Sequence, residues 1–137
     1  MKIKISEHDE QANFIQETFY KYRNDETFIR ELFFSVPNGA FLGGRSAAQF
    51  MKLEREGFRK GVSDVLYLQA RGKYHYLALE MKTKGRRREK DGGLSLEQVG
   101  FNRAVSMAGG LSFVCYGADE ASEAFDRYMS LEPGGVV

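Results

Sequence analysis

Apolar and polar positions change period several times along the chain, and each change marks an element. Phe14, Ile15, Thr18, Phe19 and Tyr22 recur at helical spacing, which predicts a helix from Glu7 to Tyr22 with Ser6 as its N-cap and Asp9 in the first turn. Asn24-Asp25 ends that helix, a short segment from Thr27 follows, and Leu32 to Val36 reads as a strand. Pro37-Asn38-Gly39 then breaks regular structure. After the Gly43-Gly44 joint, Ser46 caps a second helix running from Ala47 to Glu56, which Gly57 terminates. Strands are predicted at 64–69 and 74–82, and the short Ala70-Arg-Gly-Lys73 link between them implies an antiparallel hairpin. A glycine-rich loop leads to a helix from Ser95, with Leu96, Val99, Phe101, Ala104, Val105 and Ala108 as its apolar positions. Gly109-Gly110 closes it before a strand at 111–116 and a last amphipathic helix at 118–129. The order αβαββαβα predicts an α/β fold, a mixed sheet flanked by helices, in one domain over residues 1–137, with about 131–137 as a frayed tail.

The strand at 74–82 departs from pure apolar patterning, and that departure carries the chemistry. Side chains two apart on a strand share a face, so Leu77, Leu79 and Met81 point one way while Ala78, Glu80 and Lys82 point the other. The first set is expected to be buried and the second to form a polar face. Asp64 closes the Gly61-Val-Ser-Asp64 turn just before the partner strand. Charge inside an apolar run is costly, so an acid, a second acid and an ammonium gathered at one end of a hairpin point to a site. The bland alternatives are a turn-capping Asp64 and a solvated Glu80–Lys82 pair. Hydrolysis of a phosphodiester needs an activated water and stabilisation of developing charge, and a cation on two carboxylates supplies both. Oxygen ligands suit Mg²⁺ or Mn²⁺. One Cys excludes a cysteine-rich zinc site, and with 2 His in the chain nothing in the pattern favours a softer metal.

Charge distribution adds more than the net charge of +1. Lys82, Lys84, Arg86, Arg87, Arg88 and Lys90 crowd a stretch in which Glu89 is the only acid, a footprint for phosphate directly after the candidate site. The lone Cys115 lies in an apolar strand and reads as a buried structural thiol. The charged N-terminus has no signal-peptide pattern and no segment approaches the length of a membrane span, so a cytoplasmic protein with no membrane association is expected.

In order and spacing, these motifs resemble the VRR-NUC family of the PD-(D/E)xK nucleases, which have a restriction-endonuclease-like fold. The resemblance runs from Glu10-Gln11 in the first helix through Val36-Pro-Asn-Gly39, Gly61-Val-Ser-Asp64, Leu79-Glu-Met-Lys82 and Ser95-Leu-Glu-Gln98 to Val114-Cys-Tyr-Gly117. It implies that Asp64, Glu80 and the Met81 carbonyl hold the metal, that Lys82 is the catalytic lysine, and that Glu10 approaches the metal from the first helix. Gln98 would line the site, and Asn38 and Lys84 would lie near substrate, with Arg86, Arg87, Arg88 and Lys90 gripping DNA. Ser63 stands where the superfamily's proline falls, a proline that VRR-NUC members often lack. No additional DNA-binding domain is recognisable, so the resemblance is to stand-alone bacterial and phage members. For these it implies a homodimer that cuts branched DNA, a Holliday junction, at two matched points. Phe41, Phe50, Met51 and Phe58 are candidates for the dimer surface or for the core. A flap, nicking or restriction-like nuclease would use the same site, and a non-catalytic nucleic-acid-binding module is the reading from another class.

Overall fold

A computed structural model of the chain describes residues 5–37 and 46–134; Asn38 and Phe41 lie outside them. The elements are α1 (Glu7–Lys21), α2 (Ile29–Leu32), β1 (Phe33–Ser35), α3 (Ala47–Arg55), β2 (Val65–Tyr67), β3 (Leu77–Lys82), α4 (Leu96–Met107), β4 (Leu111–Tyr116) and α5 (Ala118–Met129). The sheet order is β1-β2-β3-β4, with β1–β2 and β2–β3 antiparallel and β3–β4 parallel. This is the mixed sheet that the sequence implies. The expected hairpin is present, although its strands are shorter than the apolar runs suggest. Past Leu79 the β2 ladder ends, and Glu80, Met81 and Lys82 pair with β4 alone.

The odd face of β3 packs beneath α1 and α5. Leu77, Leu79 and Met81 join Phe14 of α1 and Phe125 and Tyr128 of α5 in the core, with Phe33 and Phe125 ring centroids 5.0 Å apart. α1 turns Glu10, Phe14 and Thr18 inward, the four-residue spacing of a single helical seam.

The even face is where the expected polar surface fails to appear. All of β3 is buried, Ala78, Glu80 and Lys82 included. α4 covers that face, because Gln98 reaches Glu80 and Asn102 accepts a hydrogen bond from Ser112, the register partner of Ala78. A two-residue period reports which side chains share a face but not whether a later helix covers it.

Further differences have local causes. Between α1 and β1 the chain makes a 3₁₀ turn (Asp25–Thr27) capped by Asn24, and then α2; Phe28 joins them with φ 51°. Too few residues are involved for periodicity to reveal either. The basic stretch is not an open loop but two 3₁₀ segments, Lys84–Arg88 and Lys90–Gly93. Residues 131–134, expected to fray, are pinned to the hairpin: Gly72 N–H donates to the Glu132 carbonyl and Gly134 N–H to the Ala70 carbonyl.

Candidate active site

Asp64 sits at the point where β2 stops covering β3. Its backbone carbonyl accepts from Val36 N–H at 2.8 Å, and its Oδ2 accepts from Met81 N–H at 2.7 Å. The carboxylate thus replaces the missing β2 backbone at the end of the ladder, which fixes it beside Glu80. Both residues are almost fully buried, at 3% and 1% exposure.

Glu80 is the electrostatic centre of the arrangement. Its Oε1 accepts from Gln98 Nε2 at 2.6 Å and lies 3.9 Å from Lys82 Nζ. Its Oε2 is buried and receives no hydrogen bond. Burial, and next the Asp64 charge, push the Glu80 carboxyl up to about 9, against the opposing pull of Lys82. In that protonated form Oε2 can donate to Asp64, so the two acids share a proton when nothing else balances them. Ser63 Oγ, also fully buried, has no hydrogen-bond partner either.

Gln98 is aimed by the start of its own helix. Ser95 and Gln98 form a capping box, in which Ser95 Oγ accepts from Gln98 N–H and Gln98 Oε1 accepts from Ser95 N–H at 2.9 Å. With its oxygen so occupied, the amide presents its nitrogen to Glu80. α4 comes this close because residue 61 is glycine: a Cβ there would lie 2.4 Å from the Glu97 carbonyl carbon, and its φ is 88°.

The first helix brings two acids to different places. Glu10 Oε2 accepts from Ala118 N–H at the N-terminus of α5, beside Gly117. Glu7 is the one whose charge acts on the carboxylates: burial and then Asp64 raise its pKa, while Lys82, Arg86 and His8 lower it. Glu7 belongs to none of the motifs that mark the site in the sequence. The available signal was its position in the first turn behind the Ser6 cap, one turn from Glu10 and on the same face.

The basic segment divides into committed and free cations. Arg86 donates to Glu89 and to the Gly93 carbonyl, and Arg87 pairs with Glu120 while lying 4.7 Å from the centre of the Tyr116 ring. Tyr116 Oη in turn donates to the Gly92 carbonyl at 2.7 Å, which ties the second 3₁₀ segment to β4. Lys84, Arg88 and Lys90 are exposed, Lys84 with a long 3.9 Å contact to Asp119. A cleft of about 550 Å³ opens beside Lys84, bordered also by Glu10, Thr83, Arg86 and Glu89. Among the described residues no helix is long and apolar enough to cross a membrane.

No family model matches the chain, and no curated protein does. Among solved structures it is similar to one described as "VRR_NUC domain protein", with a TM-score of 0.75 at 20% identity, over 97% of this chain and 94% of that one. The fold is therefore that of a VRR-NUC domain, a restriction-endonuclease-like mixed sheet flanked by helices. The buried Asp64, Glu80 and Lys82, with the half-buried Gln98, stand at the sheet end where β2 gives out.

Proposed function

We propose that the chain is a metal-dependent, structure-selective DNA endonuclease that works as a homodimer on four-way junctions. The observation that carries the reading is the buried Glu80 carboxylate beside Asp64, with one oxygen lacking any donor. An ionised acid pair in an apolar sheet is unfavourable unless a cation completes it. The donor set fits a hard ion: the two buried carboxylates of Asp64 and Glu80, with no cysteine or histidine among them. Mg²⁺ suits that sparse set because it keeps several waters and needs few protein ligands. Asp64, Glu80 and the Met81 carbonyl would hold Mg²⁺ or Mn²⁺, with Glu7 or Glu10 approaching from α1. When bound, the ion lowers the pKa of a water and polarises the phosphate.

The chain's own groups do the remainder. Gln98 holds Glu80 in place through its amide, and Lys82 orients the attacking water or offsets charge building on the phosphate oxygens. Lys84, Arg88 and Lys90 grip backbone phosphates, which positions the duplex without reading its sequence. Asn38, just after β1, would lie near the substrate. The solved VRR-NUC likeness supports a nuclease, and two-fold pairing of one site per chain suits a junction that needs two matched nicks.

The test is cleavage of labelled four-way junction, linear duplex and 5′-flap DNA in Mg²⁺, Mn²⁺ or EDTA, beside Glu80→Gln and Lys82→Ala. Paired, metal-dependent nicks in the junction, absent in both variants, are the expected result. Cleavage of flap or duplex alone would keep the chemistry and discard the junction. Tight binding with no cleavage in either metal would make the chain a binding module on a nuclease fold.

A further inference from the structure

α3 is tethered at the catalytic end of the sheet and takes little support from the body of the protein. Val36 N–H donates to the Asp64 carbonyl at 2.8 Å, so the chain is at the candidate site both before α3 and after it. Gly61, between α3 and Asp64, lies against Glu97 in the first turn of α4. None of the residues of α3 is buried. Its apolar side closes instead on its own following turn: Phe58 N–H donates to the Leu53 carbonyl, and the Phe50 and Phe58 ring centroids are 6.3 Å apart. A helix this short is marginal alone in water, and the Ser46 capping box makes up only part of the deficit. What such a helix presents outwards is then its best explanation.

The outward face is cationic. Ala48, Lys52 and Arg55, at spacings of four and three, share the side away from Phe50 and Leu53, and all three are exposed. Glu54 and Glu56 fall to either side of that face. Neither Lys52 nor Arg55 has an ion-pair partner among the described residues. Cations near a helix C-terminus also suit the helix dipole, but that effect does not require the helix to stand unpacked beside two acids. The basic 3₁₀ segments occupy the other side of the site, tied to β4 and α5 through Tyr116 and the Arg87–Glu120 pair. With the strands in the order β1-β2-β3-β4, Asp64 and Glu80 lie between the two sets of cations.

We infer that α3 is a second phosphate-binding element for duplex DNA, which meets the backbone through Lys52 and Arg55 on the opposite side of the acid pair from Lys84, Arg88 and Lys90. The inference rests on the nuclease reading above and adds to it a grip on both sides of the scissile phosphate. Unpaired cations on an exposed helix complement a phosphate backbone in charge and ask nothing of its sequence. A backbone held on both sides of the acids is fixed in position where it is to be cut.

Anisotropy titrations of the full chain on labelled duplex in EDTA, over a range of salt concentrations, test it. Lys52→Ala and Arg55→Ala should each lower the slope of log affinity against log salt by about 0.9, and the double variant by about 1.8, with circular dichroism unchanged. Lys73→Ala, which removes an exposed lysine in the hairpin link at the far end of the sheet, should leave the slope as it is. Tethered cleavage then locates the contact. Because Cys115 is buried, a thiol-linked iron chelate attaches at Ala48→Cys on α3 or at Gly85→Cys, where a Cβ meets open space. On a four-way junction the two tethers should cut on opposite sides of the position that the wild type nicks in Mg²⁺. Slopes for the α3 variants equal to that of Lys73→Ala would overturn the α3 assignment. So would an Ala48→Cys tether that cuts nowhere, or on the same side as Gly85→Cys, and wild-type nicking would then leave the nuclease reading standing. A wild type that neither binds nor nicks would overturn both.

Discussion

Replacing Glu80 by Gln should make the metal-free protein more stable while removing its chemistry. The Glu80 carboxyl sits at about 9 in the folded chain, against an ordinary value of 4.5. A raised acid contributes its full stability below the unfolded value and loses it as pH rises towards the folded one. Between the two, the folded state keeps a proton that the unfolded chain releases, and each unit costs about 1.4 kcal/mol. At pH 7, 2.5 units above the ordinary value of 4.5, that amounts to at most about 3.5 kcal/mol, and glutamine, which has no proton to lose, escapes it. The isostere keeps the acceptor for Gln98 Nε2, and its NH₂ can donate to Asp64 where the acid's Oε2 had no donor. Urea unfolding in EDTA between pH 4 and 8.5 measures the effect. The variant should match the wild type near pH 4 and gain steadily to about 1–3 kcal/mol at pH 7. Mg²⁺ should then stabilise the wild type and leave the variant unchanged. A variant less stable than the wild type at pH 7, or a difference that ignores pH, would refute the claim that Glu80 is held unbalanced in the site.

Other residues give equally direct expectations. Gly61→Ala puts a methyl 2.4 Å from the Glu97 carbonyl carbon at a φ of 88°, so a loss of about 2–4 kcal/mol in urea unfolding is expected, with cleavage falling as Gln98 is displaced. Arg88→Ala and Lys90→Ala should each lower the slope of log affinity against log salt by about 0.9 for duplex DNA, read by anisotropy. Arg87→Ala should change that slope less, because its guanidinium is committed to Glu120 and Tyr116; an equal change would show that it contacts phosphate. Burial, ahead of the Glu120 and Glu80 charges, pushes the Cys115 thiol up to about 12, so a thiol reagent at pH 8 should label it only in urea. Rapid labelling of the folded chain would contradict that packing.

What could be read from the sequence was whatever depends on neighbours along the chain. Ser6, Ser46 and Ser95 each begin a helix with a capping box, because a cap and its third residue lie within one turn. The shared face of Ala78, Glu80 and Lys82 follows from strand geometry alone. What stayed hidden depends on contacts between distant segments. Whether that face meets water is decided by α4, and α4 reaches it only because Gly61 admits its first turn. Whether Glu7 or Glu10 turns towards Asp64 is decided by α5, whose free amide at Ala118 takes Glu10. The basic stretch looked like an open loop because Glu120, Tyr116 and the Gly93 carbonyl, which hold Arg87 and Arg86, are outside its own pattern.

Those long-range contacts also explain why a site so charged can be so buried. Each group in it is held by backbone or by a helix start rather than by solvent: Asp64 by the Met81 amide, and Glu80 by an amide that the Ser95 cap has oriented. Holding the acids by neutral donors leaves Glu80 to keep its proton rather than carry a second buried charge, and Lys82 at 3.9 Å opposes that only in part. A closer lysine would have completed a buried ion pair and removed the attraction for a cation. The strand spacing would allow a closer contact, so it is the 3.9 Å separation itself that leaves room beside the carboxylates for the cation proposed above.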